Sequence, residues 1–294
     1  MKTAKKLREL IERPGITMAP GAYDAFSAKL IESAGFEAVY MTGFGTAAST
    51  LGYPDIGLLT MTDMVADVKR IADAVTIPVI ADADTGYGNH LNVIRTVEEY
   101  EKAGSAAIQI EDQVSPKRCG HMEGHKLVSP GEMVAKIRAA VRARQDPDTV
   151  IIARTDAISA ESFDEAIRRA NIYRDEGADV LFVEAPRDME QLGRIPRLVK
   201  GPVLVNVAPK TPYLQIKKYE DMGYVLAIYP AISITAVYAT LRAKLAELKS
   251  EGMNSDGGHG GVPFDELVNF LGLSKYRNLE EEILRGIDKY KDSV

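Results

Sequence analysis

The sequence predicts an α/β fold, a (β/α)8 barrel followed by a helical extension. Eight short, nearly continuous apolar segments recur along the chain, near residues 16, 37, 78, 106, 150, 180, 202 and 224. The segments between them carry apolar residues at three-to-four spacing, as amphipathic helices between buried parallel strands do. Eight such units fit a closed barrel of about 250 residues. No G-x-G-x-x-G motif, typical of doubly wound dinucleotide-binding sheets, follows the first segment.

The elements follow in the order that this fold requires. The predicted strands are ITMAPG, EAVYMTG, PVIADAD, AAIQIED, VIIARTD, VLFVEAP, PVLVNVAP and YVLAIYP, and helical segments such as TMTDMVADVKRIADAV and SFDEAIRRANIYRDEG separate them. Several helices end in a glycine just before the next strand, in ESAGFEAVY, EKAGSAAIQI and RDEGADVLFV. These glycines are expected to cap the helices at their C-termini.

The chain divides into two parts by pattern. Residues 1–250 are expected to form the catalytic barrel, and residues 251–294 a helical arm. The arm begins with the glycine-rich hinge EGMNSDGGHGG and continues with the helical patterns VPFDELVNFLGL and NLEEEILRGIDKYK. Two interpretations stay open, a cap on the chain's own barrel and an arm packed on or exchanged with a partner subunit.

Composition excludes several classes of function. The 294 residues are 46% hydrophobic and 27% charged with a net charge of -6, which is typical of a globular protein. Lys and Arg are scattered without a basic block, so nucleic acid is not an expected partner. The single cysteine predicts a reducing compartment, the cytosol. No apolar run approaches the ~20 residues of a membrane span, and the amphipathic MKTAKKLRELIERPG predicts neither a signal peptide nor an anchor.

Polar residues end most of the predicted strands, at the end where barrel enzymes carry their active sites. Because parallel strands point the same way, these side chains are expected to converge on one mouth of the barrel. They are Tyr40, Thr42 and Gly43 after the second strand, Asp82 and Asp84 after the third, Glu111 and Asp112 after the fourth, Arg154 and Asp156 after the fifth, Glu184 after the sixth and Asn206 after the seventh.

Asp82 and Asp84 predict a metal site. Two residues apart on a strand, their carboxylates share one face and would repel each other. Mg2+ resolves such repulsion with few carboxylates plus water, and Glu111 is placed to hold a metal-bound water. The alternative is that these acids cap helices or pair with Arg154 and Lys117. Arg154 is also expected to bind a substrate carboxylate through two parallel hydrogen bonds, with a salt bridge to a glutamate as the alternative.

The stretch SPKRCGHMEGHK contains the only cysteine. Lys117, Arg118 and His121 lie close to Cys119, and nearby cations stabilise a thiolate, which predicts a lowered thiol pKa. The cysteine is a candidate proton donor and acceptor or a nucleophile, and acid–base work suits it better because no Asn or Asp is placed to orient a Cys–His pair. Two glycines in the stretch predict a mobile loop that closes over substrate. A small buried hydrophobe, the alternative, conflicts with the charged neighbours.

These motifs closely resemble the isocitrate lyase and phosphoenolpyruvate mutase superfamily. The resemblance rests on EDQVSPKRCGH, DADTGYG, ARTDA, FVEAP and LGYPDIGLLT, and runs from about Met18 to Tyr238. The K-[KR]-C-G-H loop is typical of the carbon–carbon lyases of that superfamily, which include the 2-methylisocitrate, 2,3-dimethylmalate and petal-death types. The resemblance therefore implies an oxo-acid lyase.

The resemblance also implies roles for individual residues. Asp82 and Asp84 would hold Mg2+, with Mn2+ as a substitute ion, and Asp55 and Glu111 would act on it through water. Cys119 would donate a proton. The implied catalytic residues are Cys119, Lys117, His121, Arg154, Glu111 and Tyr40, and the implied substrate-binding residues are Tyr40, Thr42, Gly43, Phe44, Asp82, Gly120, His121, Arg154, Glu184, Asn206 and Thr211. A homotetramer, a dimer of dimers with an exchanged C-terminal helix, is implied as well.

The expected reaction is a retro-aldol (Claisen-like) cleavage of a 2-hydroxy acid that carries a second carboxylate on C3. Arg154 and Lys117, with His121 if protonated, are expected to stabilise the negative charge that develops. Tyr40, a water bound to Glu111 and another metal-bound water are the candidates that accept the hydroxyl proton. The segments NVAPKTP and TGF depart from the commoner family patterns. Both lie on walls that recognise substrate substituents, so the identity of the substrate stays open.

Three alternatives accompany this interpretation. Phosphoenolpyruvate mutase or phosphonopyruvate hydrolase chemistry and oxaloacetate decarboxylation belong to the same superfamily, whose members of those types lack the cysteine. A non-catalytic barrel used for binding or assembly would show no dependence on Mg2+.

Overall fold

The computed structural model describes residues 3–122, 124–258 and 260–285. Eight parallel strands form a closed barrel in which each pairs with its neighbours in chain order, from β1 to β8 and back to β1. The predicted (β/α)8 fold is confirmed. The strands are β1 Thr17–Ala22, β2 Val39–Met41, β3 Val79–Asp82, β4 Ala107–Glu111, β5 Val150–Thr155, β6 Val180–Val183, β7 Val203–Asn206 and β8 Leu226–Tyr229.

Helices alternate with the strands. They are α1 Thr3–Glu12, α2 Ala25–Ser33, α3 Gly43–Leu51, α4 Met61–Ala74, α5 His90–Lys102, α6 Pro130–Ala143, α7 Ala157–Ala160, α8 Phe163–Asp175, α9 Met189–Leu198, α10 Ile216–Met222, α11 Ile232–Glu251, α12 Phe264–Phe270 and α13 Leu273–Leu284. The predicted glycine caps are confirmed: Gly35, Gly104 and Gly177 follow α2, α5 and α8 with φ of 87°, 97° and 105°. A side chain would be strained in that left-handed conformation.

Strand register fixes which polar groups face each other at the mouth of the barrel. Asp82 at the end of β3 pairs with Gln109 on β4. Glu111 at the end of β4 pairs with Arg154 on β5. An acid and a base on adjacent strands are thereby held at one level of the barrel.

The core has two parts, one inside the barrel and one between the strands and the surrounding helices. The interior part includes the apolar face of α1, where Leu7 and Leu10 are buried in one cluster with Val150, Val180 and Leu226. Those three residues begin or lie at the start of β5, β6 and β8. The apolar face of α1 therefore covers the end of the barrel opposite the polar strand ends.

The chain forms two compact units, Met1–Ala236 and Val237–Val294, which divide within α11. The predicted boundary after residue 250 falls at the end of that helix instead. In the second unit the helical patterns VPFDELVNFLGL and NLEEEILRGIDKYK contain α12 and α13. The end of the latter pattern, from residue 286 onward, lies outside the described residues. Within the described part of the chain, each helix is too short or too polar to cross a membrane.

Candidate active site

A cavity of about 210 Å3 lies at the C-terminal ends of the strands, within the first compact unit. Polar side chains from β2 to β7 line one side of it, and apolar side chains near β7, β8 and α3 line the other. The lining residues are Tyr40, Thr42, Phe44, Asp55, Asp82, Cys119, Gly120, His121, Arg154, Glu184, Asn206, Ala208, Pro209, Ile228, Pro230, Ala231 and Thr235. Most of the residues predicted for the site therefore meet at one cavity.

Asp82 and Asp84 lie together, but not as the sequence predicts. β3 ends at Asp82, and Asp84 lies beyond it with φ of 47°, in the left-handed region. The expectation that both project from one face of a strand is therefore wrong. They stay adjacent because the backbone N–H of Asp84 donates a hydrogen bond to Asp82 Oδ1 at 3.0 Å. Both side chains are buried.

Lys117 compensates the repulsion between these acids. Its Nζ lies 2.8 Å from Asp84 Oδ1 and 2.7 Å from Asp55 Oδ1. Burial by itself would lower the pKa of Lys117, but the carboxylates of Asp84 and Asp55 raise it well above its usual range. Burial raises the pKa of Asp84, and Lys117 opposes that effect. Pairing with Lys117, the alternative weighed from the sequence, is thus present, and Lys117 does not face the cavity as a free cation.

Glu111 is fully buried at the end of β4. Neither of its carboxylate oxygens accepts a hydrogen bond from a described residue, and Arg154 Nη1 lies 3.4 Å from its Oε2. Burial raises the pKa of Glu111 well above its usual range, with Arg154 and Lys117 opposing. A buried carboxylate with two free oxygens fits the predicted contact to a water molecule.

The acids fit a Mg2+ site in which the protein supplies only a few ligands, and water and substrate supply the others. A side chain at Gly43 would place its Cβ 2.8 Å from Asp82 Oδ2, so only glycine leaves that oxygen accessible. Asp84 Oδ1 has Lys117 Nζ 2.8 Å away as its partner. In residues 3–122, 124–258 and 260–285, no three His, Cys, Asp or Glu side chains form a ready ligand cluster. Mg2+ is commonly held by one or two carboxylates plus water and substrate oxygens, which is what Asp82 and Asp84 offer.

Arg154 is held by an acid that the predicted site did not include. Its Nε and Nη2 donate to the two carboxylate oxygens of Asp156 at 3.0 and 2.8 Å. Glu184 lies 3.4 Å from Nη2, and the guanidinium lies 5.1 Å from the ring centre of Phe182. The predicted alternative of a glutamate salt bridge is present, but the bidentate partner is Asp156. This arrangement fixes the direction of the guanidinium.

The loop after β4 packs directly on Arg154. A Cβ at Gly120 would lie 2.3 Å from Arg154 Nη2 and 2.7 Å from Glu184 Cγ. Only glycine allows this approach, so the loop backbone forms one wall of the cavity. Cys119, the preceding residue, is thereby placed on the cavity surface.

The Cys119 thiol is half-buried, and its pKa is raised, contrary to the prediction of a stabilised thiolate. Burial is the largest cause, and Asp55 adds to it; the backbone N–H of His121 and the cations of Arg154 and Lys117 oppose it. The prediction fails mainly because the thiol is buried, and Lys117, which pairs with Asp55 and Asp84, opposes that effect only weakly. The thiol is therefore protonated near neutral pH, as a proton donor must be.

His121 belongs to a polar cluster at the end of β6 and β7. Its Nε2 lies 3.6 Å from Glu184 Oε1, and Asn206 Nδ2 donates to Glu184 Oε2 at 3.0 Å. The backbone N–H of Lys210 donates to His121 Nδ1 at 3.3 Å, and Lys210 Nζ donates to the Met122 carbonyl at 3.1 Å. Burial lowers the pKa of His121, with Glu184 opposing. The imidazole is thus neutral near pH 7 and serves as a hydrogen-bonding group.

Tyr40 and Gln109 extend the polar side toward Asp82. The Tyr40 hydroxyl donates to Gln109 Oε1 at 3.2 Å, and Gln109 Nε2 lies 3.4 Å from Asp82 Oδ1. Burial, then the charge of Asp82, raises the pKa of Tyr40 well above its usual range. The phenol is therefore protonated, and its role as acceptor of the substrate proton stays a prediction.

The segment after β2 turns at once into α3. Thr42 is the N-cap, and its side chain accepts a hydrogen bond from the Gly45 N–H at 3.4 Å. Free backbone N–H groups at a helix N-terminus favour carboxylates and phosphates. The predicted cradle of Thr42, Gly43 and Phe44 therefore has a physical basis, although the helix was not predicted to begin there.

Of the predicted site residues, Gly43, Asp84, Glu111 and Lys117 do not line the cavity. Thr211 does not line it either. It is buried in the loop after β7, where its N–H donates to the Ala208 carbonyl at 2.9 Å. Sequence reasoning placed Asp156 at the mouth of the barrel but gave it no role, and it missed Gln109 and Lys210. The spacing of Asp156 from Arg154 was a usable signal, because residues two apart at a strand end share a face.

Comparison with known proteins identifies the family. The sequence profile of "Phosphoenolpyruvate phosphomutase" matches residues 7–249. The chain belongs to the phosphoenolpyruvate phosphomutase family. The predicted superfamily is therefore confirmed.

Members of this family with lyase names are similar to the whole chain. It is 47% identical to the 2,3-dimethylmalate lyase of Eubacterium barkeri, over 97% of this chain and 100% of that one. It is 42% identical to the 2-methylisocitrate lyase of Aeropyrum pernix, over 95% and 90% of the two chains. A structure of phosphonopyruvate hydrolase in complex with oxalate and Mg2+ superposes with a TM-score of 0.87 at 31% identity, over 97% of this chain and 100% of that one.

Proposed function

We propose that the protein is a Mg2+-dependent carbon–carbon lyase. It cleaves a 2-hydroxy di- or tricarboxylate between C2 and C3, releasing a 2-oxo acid such as pyruvate and a carboxylate. The observation that carries the proposal is a protonated thiol, Cys119, on the same cavity as Asp82 and Arg154. The lyase names of the relatives support it.

The carboxylates of Asp82 and Asp84 would hold the ion, with Asp55 and Glu111 acting through water; Mn2+ is expected to substitute. When bound, the ion supplies a Lewis acid next to the carboxylate and C2 oxygen of the substrate. The structure of phosphonopyruvate hydrolase with oxalate and Mg2+ supports Mg2+ as the ion.

The chain's own residues handle the proton and the charge. A water molecule that Glu111 would hold takes the O–H proton. The electron pair of that bond forms the C2 carbonyl, and the C2–C3 pair moves to C3 and into the carboxylate on it. Arg154, held by Asp156, faces that carboxylate, and the neutral His121 and Asn206 add hydrogen-bonding groups. The Cys119 S–H then protonates C3, and the thiolate regains a proton from solvent once the products leave. The loop that carries it packs on Arg154, which is expected to keep water away from C3 during the reaction.

Replacing Cys119 by serine tests this assignment. A hydroxyl is a far weaker acid than a thiol, so turnover should fall at least about a hundredfold. Mg2+ affinity and melting temperature should stay near those of the original protein. Cys119→Ser turnover within a few fold of the original would remove the thiol from the mechanism.

The substrate class is tested with a panel. The protein is incubated with Mg2+ and 2-methylisocitrate, isocitrate, 2,3-dimethylmalate, citramalate or oxaloacetate, and release of 2-oxo acid is followed with a coupled dehydrogenase. Phosphonate chemistry, the alternative within the family, is read in the same samples by phosphorus NMR with phosphonopyruvate. Product from phosphonopyruvate alone, or from oxaloacetate alone, would contradict the proposal.

A homotetramer, a dimer of dimers, is the proposed assembly, and the cytosol the proposed compartment. The second unit supports the assembly: no described residue of α12 or α13 is buried, and Leu241, Leu245 and Phe264 are 51%, 55% and 70% exposed. Such a surface is expected to be covered by another copy. The free thiol of Cys119 suits a reducing compartment.

A further inference from the structure

The cavity has one side without charge. This side, here called the apolar wall, consists of Phe44, Ala208, Pro209, Ile228, Pro230 and Ala231. It comes from the beginning of α3, from β8 and from the loops that follow β7 and β8. Only β1 separates β8 from β2 in the barrel, so most of this wall lies on one side of it. Asp82, Arg154 and Glu184, at or just after the ends of β3, β5 and β6, lie on the other side and are here called the polar arc.

The polar arc can neutralise two substrate carboxylates. One lies toward Asp82 and Asp84, where the proposed ion supplies positive charge. The other lies toward Arg154, which is the one cationic Lys or Arg side chain among the described residues that line the cavity. Arg154 already donates two hydrogen bonds to Asp156. It therefore has little capacity to bind a further substrate carboxylate in addition to the second one.

The apolar wall has nothing to offer another carboxylate. Two threonines line the cavity close to the wall in the chain: the Thr235 hydroxyl donates to the Ala231 carbonyl at 2.8 Å, and the Thr42 hydroxyl accepts from the Gly45 N–H at 3.4 Å. Lys117 is held between Asp55 and Asp84, and Lys210, which follows Pro209 in the chain, donates through its Nζ to the Met122 carbonyl at 3.1 Å. A carboxylate against this wall would lose its water without gaining a partner, which is strongly unfavourable.

We infer that the protein acts on 2-hydroxy dicarboxylates whose C3 carries an alkyl group, and that it discriminates against tricarboxylates whose C3 substituent ends in a carboxylate. The inference rests on the lyase activity proposed above. The C1 carboxylate and C2 oxygen face Asp82, the second carboxylate faces Arg154, and the C3 substituent packs on the apolar wall. Burial of an alkyl group against this wall is favourable in free energy, whereas burial of a carboxylate there is unfavourable.

The test compares two acids that differ in this substituent, 2,3-dimethylmalate with a methyl on C3 and 2-methylisocitrate with a carboxymethyl. With Mg2+ present, kcat/KM should be at least about 100-fold higher for 2,3-dimethylmalate, since an unpaired buried charge costs more than a missing methylene. Equal or higher kcat/KM for 2-methylisocitrate overturns the inference and leaves the lyase proposal standing. If neither acid is cleaved, the inference is overturned. If no acid of the panel is cleaved, the lyase proposal is overturned as well.

A pair of variants separates charge from shape. Ala231 is half-buried on the apolar wall, so a longer side chain can extend along the cavity. Ala231→Arg adds a cation there, and Ala231→Met adds bulk without charge. The measured quantity is the ratio of kcat/KM for 2,3-dimethylmalate to kcat/KM for 2-methylisocitrate. We expect this ratio to be at least about tenfold lower in Ala231→Arg than in Ala231→Met. Equal preferences in the two variants would overturn the inference, and circular dichroism checks that both are folded.

Discussion

Burial sets the protonation state of the Cys119 thiol. The loss of water around the sulfur is the largest cause of its raised pKa, and it outweighs the cations of Arg154 and Lys117. Each of those cations has acids beside it, so little of their field reaches the sulfur. The thiol is consequently a stable proton donor and a poor nucleophile at neutral pH.

Alkylation of Cys119 should therefore depend on pH in a particular way. The thiolate is the reacting form, so a raised pKa moves the rise in rate to higher pH. We expect the rate with iodoacetamide, without substrate, to keep rising beyond pH 9.0, the usual pKa of a cysteine. Because the chain has one cysteine, mass spectrometry reports this site alone. A rate that levels off below about pH 7 would mean that the thiolate is stabilised after all.

Asp156 is a positioning residue for Arg154. Asp156→Asn replaces one acceptor of the bidentate pair by a donor that faces the guanidinium. We expect kcat/KM to fall about 10- to 100-fold through misdirection of Arg154, with KM affected because the substrate carboxylate is held less well. The matched control is Asp164→Asn, at an exposed position of α8. A kcat/KM within twofold of the original would show that Arg154 does not need this partner.

At the scale of elements, two loops meet over the cavity. The loop after β4 carries Cys119, and the loop after β7 carries Lys210, whose N–H and Nζ bind His121 and Met122 at 3.3 and 3.1 Å. The backbone carbonyl of Asp55 accepts a hydrogen bond from the Cys119 N–H at 3.1 Å on the other side. The thiol is thus held from two directions.

Removing one of these contacts should loosen the thiol loop. Lys210→Met loses the bond to the Met122 carbonyl, and a net hydrogen bond of about 1 kcal/mol corresponds to roughly a fivefold change in an equilibrium. We expect Cys119 alkylation to be about fivefold faster and kcat/KM to be lower by a similar factor. Lys210→Arg should restore most of both, and Lys218→Met on α10 is the control. Unchanged alkylation in Lys210→Met would show that this contact does not hold the loop.

The order of the strands and the level of the site were predictable, because apolar runs locate strands and polar residues at their ends locate the mouth. Asp82, Glu111, Arg154 and Asn206 were found in this way. The predicted position of Asp84 on the strand was wrong. Its left-handed backbone conformation cannot be recognised from the spacing of side chains in the sequence.

Contacts between residues far apart in the sequence were also not predicted. Lys117 pairs with Asp55, 62 residues earlier in the chain, and Asp55 also adds to the rise in the thiol pKa that burial mainly causes. Adjacent residues in a sequence give the local charge but not the partners that neutralise it. The metal and substrate roles of the site residues stay predictions.

At the scale of the whole molecule, α11 to α13 present apolar side chains without a described core of their own. Leu241, Leu245 and Leu248 recur at the spacing of one helical face and are 45% to 55% exposed. A cavity of about 410 Å3 beside them is lined by residues of the second unit alone. Covering this face is the physical reason to expect assembly.

Light scattering should accordingly give a mass near four times the 32.1 kDa of one chain. Leu245→Asp places a charge in the expected interface and should lower the mass, whereas Lys249→Asp, at an exposed position of the same helix, should not. A mass of one chain for the unaltered protein, at all concentrations, would contradict the proposed tetramer.

The division of the cavity into two arcs has a consequence for how such enzymes diversify. Groups that break the bond come from β2 to β6, whereas the apolar wall comes largely from β8 and two loops. Substitutions at Ala208, Pro209 or Ala231 can therefore redirect a descendant toward a different acid while its chemistry is inherited intact.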